Sequence, residues 1–358
     1  MPRTSLTDRP PRMPYVSPPS DIARDHATKR LAALATPPGA LGRIGELGVW
    51  IASVQGHVPP HPVDNVRLVI FAGDHGVAAH GVSAFPPAVT GAMVRTFLAG
   101  KAGVNALAQI HGVAVRVLDI GVDEDFHDLD EDVRNTLTAH KIRRASGAIH
   151  LADALTPEET RAALDAGAAV ARQEIKAGAQ LLISGDMGIG NTTPAAALVA
   201  AGLGLPAADV SGRGTGIDDA ALTHKIEVVQ TALDRAGARQ DDPIETLTAL
   251  GSADLAASTG FMLAAAQDGV PVLLDGLMSV ACALTADRME PGAAAWFAAG
   301  HRSTEPAQSL ALAKMGLEPL LDVGMRLGEG SGAVAAVPLI RGAAALLSSV
   351  ALLEELTT

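Results

Sequence analysis

AQLLISGDMGIGNTTPAAAL, Ala179 to Leu198, is an apolar run that breaks into glycines, an Asn and two threonines and passes directly into an alanine-rich segment. Continuous rather than alternating apolar residues are what a strand covered on both faces requires. The alanines that follow favour a helix. A turn of this composition lets backbone N–H groups and the helix N-terminus face an anion. It equally suits an ordinary tight turn, with Thr192 or Thr193 as N-cap and Pro194 at the first helical position. It is not a P-loop, because no Lys-Ser or Lys-Thr follows the last glycine, and its glycine spacing is not that of a dinucleotide fingerprint.

The same unit recurs on either side. VRLVIFAG (Val66 to Gly73), VAVRVLDIG (Val113 to Gly121) and VPVLLDGL (Val270 to Leu277) are further continuous apolar runs, and AAAWFAAG before His301 reads as another short strand. Between the first two lies an amphipathic stretch from about Pro87 to Ile110, long enough for one helical crossover, and helices are expected near 157–177 and 254–267. A helical preface covers 21–55, broken at ATPPGALGRI, and Ala333 to Glu355 reads as a closing helix kinked by Pro338. The expected fold is a three-layer α/β/α sandwich with a mainly parallel, Rossmann-like sheet and a smaller helical subdomain built from both chain ends. In boundaries, 1–20 is a flexible tail, 21–60 a helical segment of the small domain, 61–325 the large domain with the cleft, and 326–358 a loop and helix that complete the small domain.

Bulk properties narrow the function. The net charge of −12, from 27 basic and 39 acidic residues, opposes nucleic acid, and 3% aromatics leave little for base stacking. Apolar stretches are broken by Gly, Pro or charge before the ~20 residues that span a bilayer, so no membrane helix is expected. Cys282 is the single cysteine, which excludes an intrachain disulfide and a cysteine-built zinc site, fits a reducing cytoplasm, and reads as a small core residue.

Ligands of parallel sheets gather at the carboxyl ends of the strands. Asp74, His75, Asp119, the GDMGIGNTT loop and Asp275 all fall there, which implies one cleft. SGRGTGIDD (Ser211 to Asp219) offers Gly212, Gly214 and Gly216 for close backbone approach and Arg213 for an anion, with Lys225 on the next helix; the alternative is a flexible loop closed by Asp218 as a helix cap. His75 and His80 lack the spacing of a histidine metal motif, and no metal or cofactor is expected. Ser83 to Pro87 offers a wall for a flat ring, Phe85 presenting its face, unless Phe85 is core. In GHRSTEPAQ, His301, Arg302 and Glu305 offer a polar network, while Ser303 and Glu305 match helix-start chemistry, the favoured reading. Glu329, between two glycines before an apolar segment, is a loop residue or a carboxylate held ionised by the helix that follows it.

FAGDHGV, GVSAFP, GDMGIGNTT, GRGTG, GHRSTEP and LGEGSGA, in this order from about Pro37 to Leu347, together resemble the nicotinate-nucleotide–dimethylbenzimidazole phosphoribosyltransferase family. The resemblance implies a homodimeric, metal-independent, cytoplasmic enzyme that makes α-ribazole phosphate for the lower ligand of cobalamin. It assigns the catalytic base to Glu329 and the nucleotide phosphate to Gly188, Gly190, Asn191 and Thr192. Lys225 and the Gly212, Gly214 and Gly216 loop would hold phosphate and ribose. Ser83, Phe85 and Met93 would line the base pocket. Two positions depart from the pattern: Ala92 stands where a Gln is expected, removing a hydrogen bond to the incoming base, and Asp186 replaces a Glu with the same charge. A single carboxylate suffices for this chemistry, because the attacking benzimidazole must lose one N–H proton while nicotinate leaves with a neutral ring nitrogen. A nucleotide-binding sensor without activity and a nucleosidase that uses water are the alternatives.

Overall fold

The computed structural model describes residues 15–356. In chain order the elements are α1 (Asp21–Ala33), α2 (Gly42–Gln55), β1 (Val66–Gly73), α3 (Val89–Leu98), α4 (Gly103–His111), β2 (Val113–Gly121), α5 (Glu131–Thr138), α6 (Pro157–Lys176), β3 (Leu181–Met187) and α7 (Thr192–Leu203). They continue with α8 (Ala207–Val210), α9 (Asp219–Ala236), α10 (Pro243–Leu250), α11 (Ala253–Gln267), β4 (Val272–Leu274), α12 (Leu277–Met289), β5 (Phe297–Ala299), α13 (Pro306–Met315) and α14 (Ser331–Ser349). The five strands form one parallel sheet in the order β2-β1-β3-β4-β5. Chain order reverses between β1 and β3, which opens a crevice at their carboxyl ends.

Both faces of the sheet are covered. One core sets Phe71, Leu118 and Leu182 against α6, α7, α11 and α12; the other sets Leu68, Ile70, Ile183 and Leu273 against α3, α4 and α14. Every residue of β1 except Arg67 is buried, as its apolar run requires, whereas in β2 at the sheet edge Ala114 is exposed and Val115 and Arg116 are only half-buried. A third, small cluster joins Ala27 and Leu34 of the first helix region to Ala52 and Leu347, so the two chain ends pack together.

Several expectations need correction. The crossover between β1 and β2 is two helices, because Gly100 at φ +71° ends the first and the chain restarts at Gly103. The strand expected over 270–277 keeps only three residues, since Asp275 and Gly276 turn out of the sheet to serve two helix starts. The closing helix runs from Ser331 through Pro338 to Ser349. Of the expected flexible tail, residues 1–14 lie outside the described residues. Residues 15–20 are docked, with Val16 buried, Trp296 Nε1 donating to the Ser17 carbonyl and Ser20 capping α1.

One helix, α14, is long and apolar enough to cross a membrane, contrary to the expectation that Gly, Pro and charge interrupt every such run. Its surroundings are those of a core helix. Val334, Val337, Ile340 and Ala344 are buried against the sheet, and mid-helix Arg341 donates to the carbonyls of Val63, Asp64 and His111.

Candidate active site

At the carboxyl edge, the turns after β3, β4 and β5 meet the Gly212–Gly216 loop and the segment before α14. Together they line a cleft that includes Gly188, Asn191, Thr192, Gly214, Met278, Glu305 and Glu329. Gly190 adopts φ +88° in the turn that redirects β3 into α7. Within that turn the N–H groups of Ile189, Asn191 and Thr193 are bonded to Thr90 Oγ1, the Gly188 carbonyl and the Gly190 carbonyl. Those of Gly190 and Thr192 have no acceptor among the described residues. The N-cap of α7 is Asn191 rather than a threonine, and Pro194 is the third helical residue. Asn191 makes no side-chain cap. Its amide donates instead to Asp186 Oδ1.

Lys225 joins the two glycine loops. It is 1% exposed, and its Nζ donates to Thr192 Oγ1 at 2.8 Å and to the Gly212 carbonyl at 3.0 Å. Burial brings its pKa down to about 8, partly offset by the charge of Glu305. Glu305 is the N-cap of α13 in its backbone only. Its carboxylate turns into the cleft and accepts the Gly214 N–H at 2.8 Å, so the helix-start reading misses its side chain. Arg302 points elsewhere, to Ser309 and Asp322. Asp218 does cap α9, by accepting from Ala221 N.

Glu329 is buried and holds a left-handed φ of +66°, sparsely populated for a residue with a Cβ. Its backbone lies on β3. A Cβ added at Gly185 would come within 2.5 Å of the Glu329 carbonyl oxygen, so only glycine there lets the segment dock. We expect Gly185→Ala to displace Glu329 and to reduce turnover sharply; unchanged kcat in that variant would show that the docking is not required.

The helix that follows Glu329 does not hold its carboxylate. The N–H groups of Gly332 and Ala333 in the first turn of α14, and that of Gly330 before it, are taken by Asp275 at 2.8–3.0 Å. Burial alone would raise the Asp275 carboxyl, but His301, 3.4 Å away, and these backbone bonds outweigh it and hold it below the usual range. Glu329 reaches a different helix, accepting from Val104 N in the first turn of α4 at 3.2 Å. There burial dominates over the Val104 N–H and, together with nearby Asp275, raises its carboxyl above the ordinary value of 4.5.

Behind the first loop lies a buried network that the sequence did not reveal. Asp186 packs against Asp254, and His75 Nε2 is 3.5 Å from Asp254 Oδ2. Burial and the Asp254 carboxylate hold the Asp186 carboxyl well above the usual range. Asp254 had no local signal, being the one charged residue in a largely apolar helix. Asp74 and Asp119 belong to neither group. Asp119 pairs with Lys141 and caps Val122 N, and Asp74 accepts from Asp123 N beside a separate hollow, so the strand ends serve more than one cleft.

Ser83, Phe85 and Met93 are not in the lining of the cleft. Phe85 is half exposed, hence not core, and Ser83 Oγ accepts from its N–H. Met93 packs against the same core as Met187, which does line the cleft. Cys282 is fully buried, as expected, and burial pushes its thiol up to about 12.

Fold and cleft define an α/β enzyme of the phosphoribosyltransferase class, and the family model described as phosphoribosyltransferase matches residues 16–357. The chain is 52% identical over 94% of its length to the nicotinate-nucleotide–dimethylbenzimidazole phosphoribosyltransferase of Mycolicibacterium paratuberculosis, covering 95% of that protein. It is 50% identical over 95% of its length to the Mycobacterium tuberculosis protein of the same name, covering 92% of it. The crystal structure of CobT from Thermus thermophilus matches with a TM-score of 0.88 and 42% identity, over 94% of this chain and 99% of that one. The chain belongs to the nicotinate-nucleotide–dimethylbenzimidazole phosphoribosyltransferase family.

Proposed function

We propose that this chain transfers the phosphoribosyl group of nicotinate mononucleotide to 5,6-dimethylbenzimidazole or a related base. The products are α-ribazole 5′-phosphate and nicotinate, in assembly of the lower ligand of cobalamin. The observation that carries this reading is Glu329, a buried carboxyl raised above its ordinary pKa at the edge of a cleft floored by two glycine loops and a buried lysine. A carboxylate with a raised pKa is a better proton acceptor than an exposed glutamate. Glu329 takes the N–H proton of the base as its other nitrogen attacks the anomeric carbon. Attack opposite the leaving pyridine converts a β-nucleotide into an α-product. The N–H groups of Gly190 and Thr192, with Lys225 and the Gly212–Gly216 loop, hold the phosphate and ribose. The incoming ring docks on the apolar side of the cleft, with Met187 and Leu327, and Met93 supports that wall from behind. Ser83 and Phe85 belong to the adjoining segment, which Thr90 ties to the phosphate loop.

The test is direct: the protein is mixed with nicotinate mononucleotide and dimethylbenzimidazole, and nicotinate release and the anomeric configuration of the product are measured. Release that requires the base, with an α-linked product, is expected. Release without base marks a nucleosidase, and binding without release marks a sensor. The homodimer and cytoplasmic location implied by the family resemblance form part of the same proposal, and sedimentation checks the first.

Lys225 adds a pH dependence. Its pKa of about 8 means that the free protein loses this positive charge as pH rises through that value. The KM for the nucleotide is therefore expected to rise above about pH 8. A flat KM from about one unit below to about one unit above that value of about 8 would remove Lys225 from phosphate binding.

A further inference from the structure

Arg326 stands in the wall of the cleft three residues before Glu329. Its guanidinium makes one weak hydrogen bond, from Nη1 to the Gly214 carbonyl at 3.5 Å. Among the described residues no carboxylate pairs with it, although Asp186, Glu305 and Glu329 line the same cleft. Lys225 bonds to the same loop at the Gly212 carbonyl. Two cations from distant parts of the chain therefore approach Gly212–Gly216, the buried lysine from within the protein and the exposed arginine from the solvent side.

The segment that carries Arg326 is tied at both ends, at Leu321 and Asp322 to the Gly300–Arg302 strand end and beyond Glu329 to Asp275, and is exposed between them. Gly330, Gly332 and Ala333 are fixed by Asp275, whereas residues 322–324, 326 and 327 are exposed. Gly328, Glu329 and Gly330 between them all have positive φ, at 78°, 66° and 91°. Between the two ties, the Arg326 side chain has a hydrogen-bond partner only in the Gly214 carbonyl at 3.5 Å. A guanidinium prefers a dianionic phosphate to a carbonyl, because it donates in a paired, charge-assisted geometry.

We propose that Arg326 exchanges the Gly214 carbonyl for the outer oxygens of the substrate phosphate and so draws the Arg326–Glu329 segment onto the nucleotide. Arg326 is then a phosphate-binding residue that positions the base. Binding energy from the non-reacting phosphate is used to set Glu329 against the attacking ring. This inference rests on the phosphoribosyl-transfer reading.

The experiment compares wild type, Arg326→Ala and Arg326→Lys on nicotinate mononucleotide and on nicotinate riboside, which lacks the phosphate. Arg326→Ala is expected to lower kcat/KM for the mononucleotide by about tenfold to a hundredfold and to leave the riboside reaction unchanged. Arg326→Lys should recover part of the loss. Inorganic phosphite added to the riboside reaction should speed the wild type and not Arg326→Ala. Equal losses on both substrates, or no loss on either, overturn the proposal. So does a loss that vanishes when nicotinamide mononucleotide replaces the nicotinate compound, because the arginine then reads the ring carboxylate. Calorimetry with ribose 5-phosphate needs no turnover: weaker binding by Arg326→Ala supports the assignment even if the transfer reading fails, and unchanged binding refutes it.

Discussion

Glu329→Gln lowers kcat by about 10²–10⁴-fold while the KM for the nucleotide stays nearly unchanged. Glutamine keeps the volume of the side chain and an oxygen that can accept from Val104 N, so the segment stays docked on β3. What is lost is the proton acceptor. The pH profile gives a second readout. The Glu329 carboxyl is raised, so activity falls as pH drops through a pKa above the ordinary 4.5. In the variant that acidic limb disappears. Stability moves the other way. A raised carboxyl binds more proton in the folded than in the unfolded protein, so stability falls as pH rises from the unfolded value through the folded one. Removing the charge should leave the Glu329→Gln protein at least as stable as wild type at neutral pH. Normal turnover by a folded Glu329→Gln protein would take the residue out of the mechanism.

Asp275→Ala is expected to be the most damaging substitution to both stability and rate. It strips the acceptor from three buried N–H groups at the start of α14 and from the neighbourhood of His301. Buried donors left unpaired cost about 1–3 kcal/mol each in the worst case, so a loss of about 3 kcal/mol or more is expected. Thermal or urea unfolding measures it. The Asp275 carboxyl is depressed, so its contribution is present above the unfolded pKa and is lost as pH falls through the lower folded value. The kinetic effect follows because Asp275 anchors Gly330, the residue next to Glu329. Asp275→Asn separates the two effects. It keeps one acceptor oxygen and the side-chain shape but loses the charge that holds the α14 terminus. A folded Asp275→Asn protein with full kcat, assayed well below its Tm, would show that the anchor stabilises without positioning the base.

Much of the fold was legible in local chemistry. The four long apolar runs became β1 to β4 and AAAWFAAG supplied β5, because a strand covered on both faces is built mainly from apolar residues. The glycine turns and Lys225 were legible for the same reason, since turn residues and helix starts act within a few positions. Glu305 was noticed but weighed by its local resemblance to a helix start, and only its side-chain direction brought it to Gly214. Ser83 and Phe85 were placed at the base pocket by resemblance, while the folded chain sets them outside the lining of the cleft that holds Glu329.

By itself the sequence determined the parallel sheet, the two glycine loops at its carboxyl edge and the glutamate between glycines, because periodicity, turn chemistry and motif order are properties of neighbouring residues. Which helix terminus serves which carboxylate was decided only by the tertiary structure. Asp275 crosses 55 residues to take the start of α14, and Glu329 crosses 225 to reach α4. Burial and long-range hydrogen bonds set the proton affinity of each, and neither exists until the sheet and its covering helices have closed around them.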